Sequence, residues 1–292
     1  MLRSMNQHIG KWLVGRPALL AVLLLYTAGG TTTQLSPSMV VHGSFAVVIV
    51  CKDGIVVAAD SRGTIQNSRG KNLGYYDDVQ KVFVLNHNVL AYTGLETIQN
   101  LYFGAVVRDF SKNAPKGVQQ IGAAFSAYST SFPVEAKTQL LNQKLLLAGY
   151  SEAGEPTICY FSMAQTVGPA QECGHRGFIA SDHCLLDRVG AERIVALDHS
   201  QAAVMARRAI IDYARAHHAS NIGGPVQVLW LSGSGVSWLR QTPQHEWTYI
   251  HDFAHDYWLH KVNIHLYRGV SRAELERVIT ESEVWSKTAV QK

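Results

Sequence analysis

Two consecutive runs, SFAVVIV (44–50) and IVVAADS (55–61), frame the tetrapeptide CKDG and restrict the fold more than any other stretch of the chain. Both are rich in β-branched residues, and an Asp-Gly pair between such runs is a strong hairpin signal. Their apolar residues occupy both parities of the strand period, so each face of the hairpin needs a cover. A second hairpin follows in KVFVL and VLAYT around NHN, a third in KLLLAGY and TICYFSM around SEAGEP, and a fourth in VQVLWL and VSWLR joined by SGSG.

Between these hairpins the period changes. LETIQNLYFGAVVRDF (95–110) and GVQQIGAAFSAYSTSF (117–132) space apolar residues at three and four, which predicts two amphipathic helices back to back on one sheet face. SQAAVMARRAIIDYARAHH (200–218) is built of good helix formers. Strand pairs alternating with helices argue for an α+β fold over a parallel βαβ one. Sheets apolar on both sides suit a four-layer αββα sandwich, with helices outside two stacked sheets.

The chain has 292 residues, 47% of them apolar, enough for a large core. Its net charge of +4 and the lack of a Lys/Arg run interleaved with aromatics exclude nucleic acid as an expected partner. At the start, Arg3, Lys11 and Arg16 precede the apolar run PALLAVLLLY and the small residues TAGG. That order predicts a signal peptide over 1–30 and a secreted or periplasmic chain. A tether or an ordinary extension on a cytoplasmic protein is the alternative; the run is too short for a stable membrane span. The cysteines show no zinc spacing. Cys51 and Cys159 lie in strand-like runs, and Cys173 and Cys184 in turn-rich sequence where a disulfide can close.

The opening motif brings a family into view. GSFAVVIVCKDGIVVAADSR, then DDVQKVFVL and LAYTGL, resembles the start of a proteasome β-type subunit of the N-terminal nucleophile (Ntn) hydrolase superfamily. The resemblance implies that Ser44 is the nucleophile, freed by self-processing after Gly43, with Asp60 sixteen positions on and Lys81 opening the third strand. It implies further that the Gly94 amide stabilises the oxyanion and that Ser181, in GFIASDH, hydrogen-bonds the nucleophile's amine. Arg62 is expected to be a structural partner. Thr31 also follows a glycine, but lies too far from Asp60 for the family spacing.

The chemistry fits those residue types. A serine hydroxyl needs a base beside it, and an N-terminal serine carries one in its own α-amine, of pKa about 7.7–8.0. One part departs from the family pattern. Where β subunits carry an aspartate and a serine before two glycines, this chain has HHASNIGGP, which looks more like the bacterial ancestral β-subunit (Anbu) group. Ser220 or Asn221 would then supply the supporting hydrogen bonds.

The expected layout is a signal peptide (1–30), a propeptide or link (31–43), an Ntn hydrolase domain (44–241) and a helical C-terminal extension (242–292) used for packing or assembly. The implied activity is a peptidase on peptide or protein substrates, assembled as a homo-oligomeric ring or related particle, with no cofactor and no metal. His251 and His255 share a helix face, yet no HExxH base accompanies them. A noncatalytic exported scaffold of the same fold and an amidase acting on small amides are the alternatives.

Overall fold

The computed structural model describes residues 39–163, 170–174, 177–241 and 245–290; the leader-like run and most of the link lie outside the described residues. Its strands are β1 (Met39–His42), β2 (Ala46–Cys51), β3 (Gly54–Ala59), β4 (Gly63–Asn67), β5 (Asn72–Tyr76), β6 (Val82–Leu85), β7 (Asn88–Thr93), β8 (Thr97–Ile98), β9 (Leu101–Tyr102), β10 (Lys144–Tyr150), β11 (Pro156–Ser162), β12 (Ala170–Gly174), β13 (Phe178–Ala180), β14 (Gln227–Ser232), β15 (Gly235–Arg240) and β16 (His265–Leu266). Its α-helices are α1 (Phe103–Ser111), α2 (Val118–Ser129), α3 (Val134–Leu140), α4 (Ala191–Val195), α5 (His199–Ala216), α6 (Ile250–Trp258) and α7 (Arg272–Val290).

One five-stranded sheet runs β13-β2-β3-β14-β15 and a second runs β12-β11-β10-β7-β6. Alternation along β2 and β3 divides the apolar residues between two cores. Phe45, Val47, Ile49, Val56 and Ala58 meet Ala202, Ala206, Ala209 and Ile210 of α5. Ala46, Val48, Val50, Ile55 and Val57 face Val89, Ala91, Leu146 and Ala148 of the other sheet. The outer face of that sheet, including Leu90, Tyr92, Leu145 and Phe161, is covered by Val106, Val107, Ile121 and Phe125 of α1 and α2. This is the αββα sandwich that the doubly apolar hairpins require.

Three local readings change. The first helix does not begin at Leu95: residues 97–102 form the small β8-β9 hairpin, and the helix starts at Phe103. Helical spacing loses there because Gln99 takes φ 52° and Thr97 Oγ1 accepts a hydrogen bond from the Val41 N–H at 3.1 Å. The segment read as a propeptide or link also carries a strand, β1, over Met39–His42. Finally, a third sheet, β1-β4-β5-β16, escapes the sequence reading altogether. The helices α6 and α7 lie against it, with Ile250, Phe253, Val278 and Ile279 packed among Met39, Val41, Ile65 and Tyr76. Among the described residues no helix is long and apolar enough to cross a membrane.

The disulfide joins Cys159 to Cys173, which corrects the Cys173–Cys184 pairing; Cys51 and Cys184 are free. The cause is strand register: β12 pairs with β11 so that Cys173 stands directly opposite Cys159. Replacing both by alanine removes a crosslink across a sequence separation of 14. The expected loss is about 3 kcal/mol, read as a lowered Tm that reductant reproduces in the wild type. On α6, His251 Nδ1 turns to Ser286 Oγ of α7 at 3.0 Å. No group of three or more His, Cys, Asp or Glu among the described residues is placed to hold a metal.

Candidate active site

Hairpin register builds the first half of the site. β2 and β3 pair with Ala46 opposite Ala59, so the next step outward sets Phe45 against Asp60. The Phe45 N–H donates to Asp60 Oδ1 at 2.8 Å, and the Asp60 N–H returns a bond to the Phe45 carbonyl at 3.2 Å. Two further N–H groups, from Arg62 and Gly223, reach Asp60 Oδ2 at 3.2 and 3.1 Å. Asp60 is therefore fixed one residue from Ser44 without touching it.

The second hairpin supplies a cation and a backbone N–H. Lys81 precedes β6, Gly94 follows β7, and the two strands are paired. Lys81 is fully buried, and its Nζ donates to the Gly43 carbonyl at 2.6 Å, the Arg62 carbonyl at 2.6 Å and Asp60 Oδ1 at 3.1 Å. The Gly94 N–H points at Ser44 Oγ, 3.3 Å away. Asp60, Lys81, Gly94 and the Gly43–Ser44 peptide are thus brought together.

Positive φ explains both glycines. Gly43 has φ 105° and Gly94 φ 132°, and a Cβ on either would lie 2.3 Å from the Asn221 carbonyl or 2.5 Å from the Asn142 carbonyl. Gly43→Ala is expected to cost about 1–3 kcal/mol of strain, measured as a fall in Tm.

The other expected residues lie around this group. Ser181 stands beside Ala46, whose N–H donates to Ser181 Oγ at 3.2 Å, two residues beyond Ser44. Arg62 forms a two-bond pair with Asp77 and lies over the Tyr75 ring, 3.7 Å from its centroid. Ser220 acts through its carbonyl, which accepts from Arg62 at 3.2 Å and from Tyr267 at 2.9 Å. Asn221 presses its backbone on Gly43.

Two buried residues that the sequence reading passed over join them. Gln227 Oε1 accepts the N–H groups of Lys81 and Val82 at 3.0 and 3.2 Å, fixing the lysine from β14. Glu96 places Oε1 3.6 Å from Lys81 Nζ and accepts the Tyr92 hydroxyl on Oε2. Burial pushes the Glu96 carboxyl up to about 7, against the pull of Lys81. Burial also pushes Asp60 up, against Lys81 and the N–H groups of Phe45 and Gly223. Gln227 could have been suspected as a polar residue in an apolar strand; Glu96 was hidden inside an expected helix.

The segment ahead of Ser44 is itself held on both edges. β1 pairs with β4 on one side. On the other, the Glu96 N–H donates to the Val41 carbonyl at 2.7 Å and the Gly43 N–H to the Gly94 carbonyl at 3.4 Å. Its Met39 and Val41 side chains are wholly buried.

No curated protein matches the chain. Residues 40–171, which run from β1 through the two central hairpins into β12, match the family model described as Proteasome subunit. With the αββα sandwich around it, that match supports a relationship to the proteasome subunits of the N-terminal nucleophile hydrolases.

Proposed function

We propose that the chain is a β-type, proteasome-like peptidase that cuts itself between Gly43 and Ser44 and then works through the freed N-terminal serine. The observation that carries this reading is the hydrogen bond from Lys81 Nζ to the carbonyl of Gly43, the carbonyl of the bond to be broken. A buried ammonium there draws electron density from the carbonyl carbon, and the Gly94 N–H holds the attacking oxygen.

Attack by Ser44 Oγ forms a carbon–oxygen bond, breaks the Gly43–Ser44 carbon–nitrogen bond and leaves the proton on the new amine. Water then hydrolyses the ester, releasing the Gly43 carboxylate. In the mature enzyme the amine takes the Ser44 hydroxyl proton as Oγ attacks a substrate amide. An acyl-enzyme and its hydrolysis follow.

Export is supported by the leader-like run and by the Cys159–Cys173 bond, since disulfides persist in oxidising compartments. The relationship to proteasome subunits supports a homo-oligomer. The HHASNIGGP segment supports a place near the ancestral bacterial group. The burial of β1 favours a second reading, an assembly subunit that is never cut. Treating purified protein with an acylating inhibitor and mapping the adduct separates them: a label on an N-terminal Ser44 supports the peptidase, and an unlabelled, uncut particle supports the scaffold.

A further inference from the structure

The Lys81 ammonium has three hydrogens, and Gly43, Arg62 and Asp60 accept all of them. Glu96 Oε1 lies outside that set, 3.6 Å from Nζ and with no hydrogen-bond partner of its own. One buried cation therefore faces two buried carboxylates, and ionising both leaves an uncompensated negative charge away from water, which is costly. Asp60 is tied by three backbone N–H groups as well as by Lys81, whereas Glu96 has the Tyr92 hydroxyl on one oxygen only. The proton that restores balance belongs on Glu96.

Resting on the self-cutting reading, we propose that Glu96 is a positioning residue that acts through Lys81: its proton decides how strongly the lysine is committed to the Gly43 carbonyl. With Glu96 neutral, Asp60 is the single anion sharing Lys81 with that carbonyl. With Glu96 ionised, a second anion draws on the same ammonium and weakens its hold on the bond to be cut.

The groups facing this pair come from several elements. They are Asp60 after β3, Tyr76 on β5, Tyr92 on β7, Tyr102 on β9 and His42 on β1, with Arg108 of α1 near Tyr92. Burial pushes the three tyrosines up, so they stay neutral, and burial holds His42 below the ordinary imidazole range. Glu96, at about 7, is left to change charge near neutrality.

Two arms test this. In the first, an uncut Ser44→Ala chain is melted across pH 4–9 with and without Glu96→Gln. A glutamate whose folded pKa lies above its unfolded value stabilises fully below the unfolded value, and that contribution is lost as pH rises through about 7. Glu96→Gln is expected to flatten this fall, and superimposable curves overturn the inference whether or not the chain cuts.

In the second arm, self-cutting of the full chain is followed on gels over the same range. The wild type is expected to slow as pH rises through about 7, and Glu96→Gln to lack that limb. The difference should reach about tenfold on the alkaline side, equivalent to a barrier change of about 1.4 kcal/mol. The same limb in both proteins overturns the role at Lys81. A wild type that never cuts, with the first-arm slope present, overturns the self-cutting reading and leaves Glu96 as the titrating group at Lys81.

Discussion

Ser44→Ala is expected to leave the chain uncut and unlabelled by an acylating inhibitor, with its melting temperature at neutral pH close to that of the uncut wild type. The loss should be complete on the timescale of the assay, because the hydroxyl is the only atom removed and it is the group the Gly94 N–H holds. Little stability is at stake: Ser44 is half-buried and sits between β1 and β2, outside both ladders. A variant that folds, assembles and does nothing is the signature of a lost nucleophile. Retained cutting would move the chemistry to another residue.

Lys81→Met is expected to be severe in a different way. The methionine fills much of the same space but strands the ionised Asp60 in a dry interior, and breaking a buried ion pair in this manner costs about 3–5 kcal/mol. Unfolding in denaturant should show that loss as a lower midpoint. Self-cutting should vanish as well, since the Gly43 carbonyl loses its donor. The double variant Lys81→Met, Asp60→Asn should recover part of the stability and none of the cutting, because the orphaned charge is gone while the donor is still missing. Recovery of cutting would contradict the role given to the lysine.

Local patterns made half of the site legible. The spacing from Ser44 to Asp60 is the length of a tight hairpin, and pairing of β2 with β3 alone carries Asp60 to Phe45. Lys81 and Gly94 flank the second hairpin for the same reason. Such contacts lie within a few tens of residues and follow from period and turn chemistry.

What stayed hidden depends on distant partners. β4 and β5, GTIQN and NLGYY, are too polar and glycine-rich to read as buried strands, and they become a sheet only because β1 and the two-residue β16 flank them. β12 contains no β-branched residue, so Cys173 reads as part of a turn until β11 pairs with it. Glu96 fits a helical period as well as it fits its real place. The tether between Val41 and Thr97 and the positive φ of Gln99 stop the helix and leave the Glu96 carboxylate near Lys81.

The strand ahead of the cut gives the chemistry a structural consequence. After cleavage β1 would still have β4 on one edge, the Gly94–Thr97 segment on the other, and Met39 and Val41 in the core beneath α6 and α7. The N-terminal piece should therefore stay with the rest of the protein until a denaturing step releases it.

The most direct measurement is the mass and N-terminal sequence of the purified protein after denaturation. The account predicts a principal chain that begins at Ser44, with a released fragment that ends at Gly43. A principal chain that begins at Thr31, or at Met1, would contradict it.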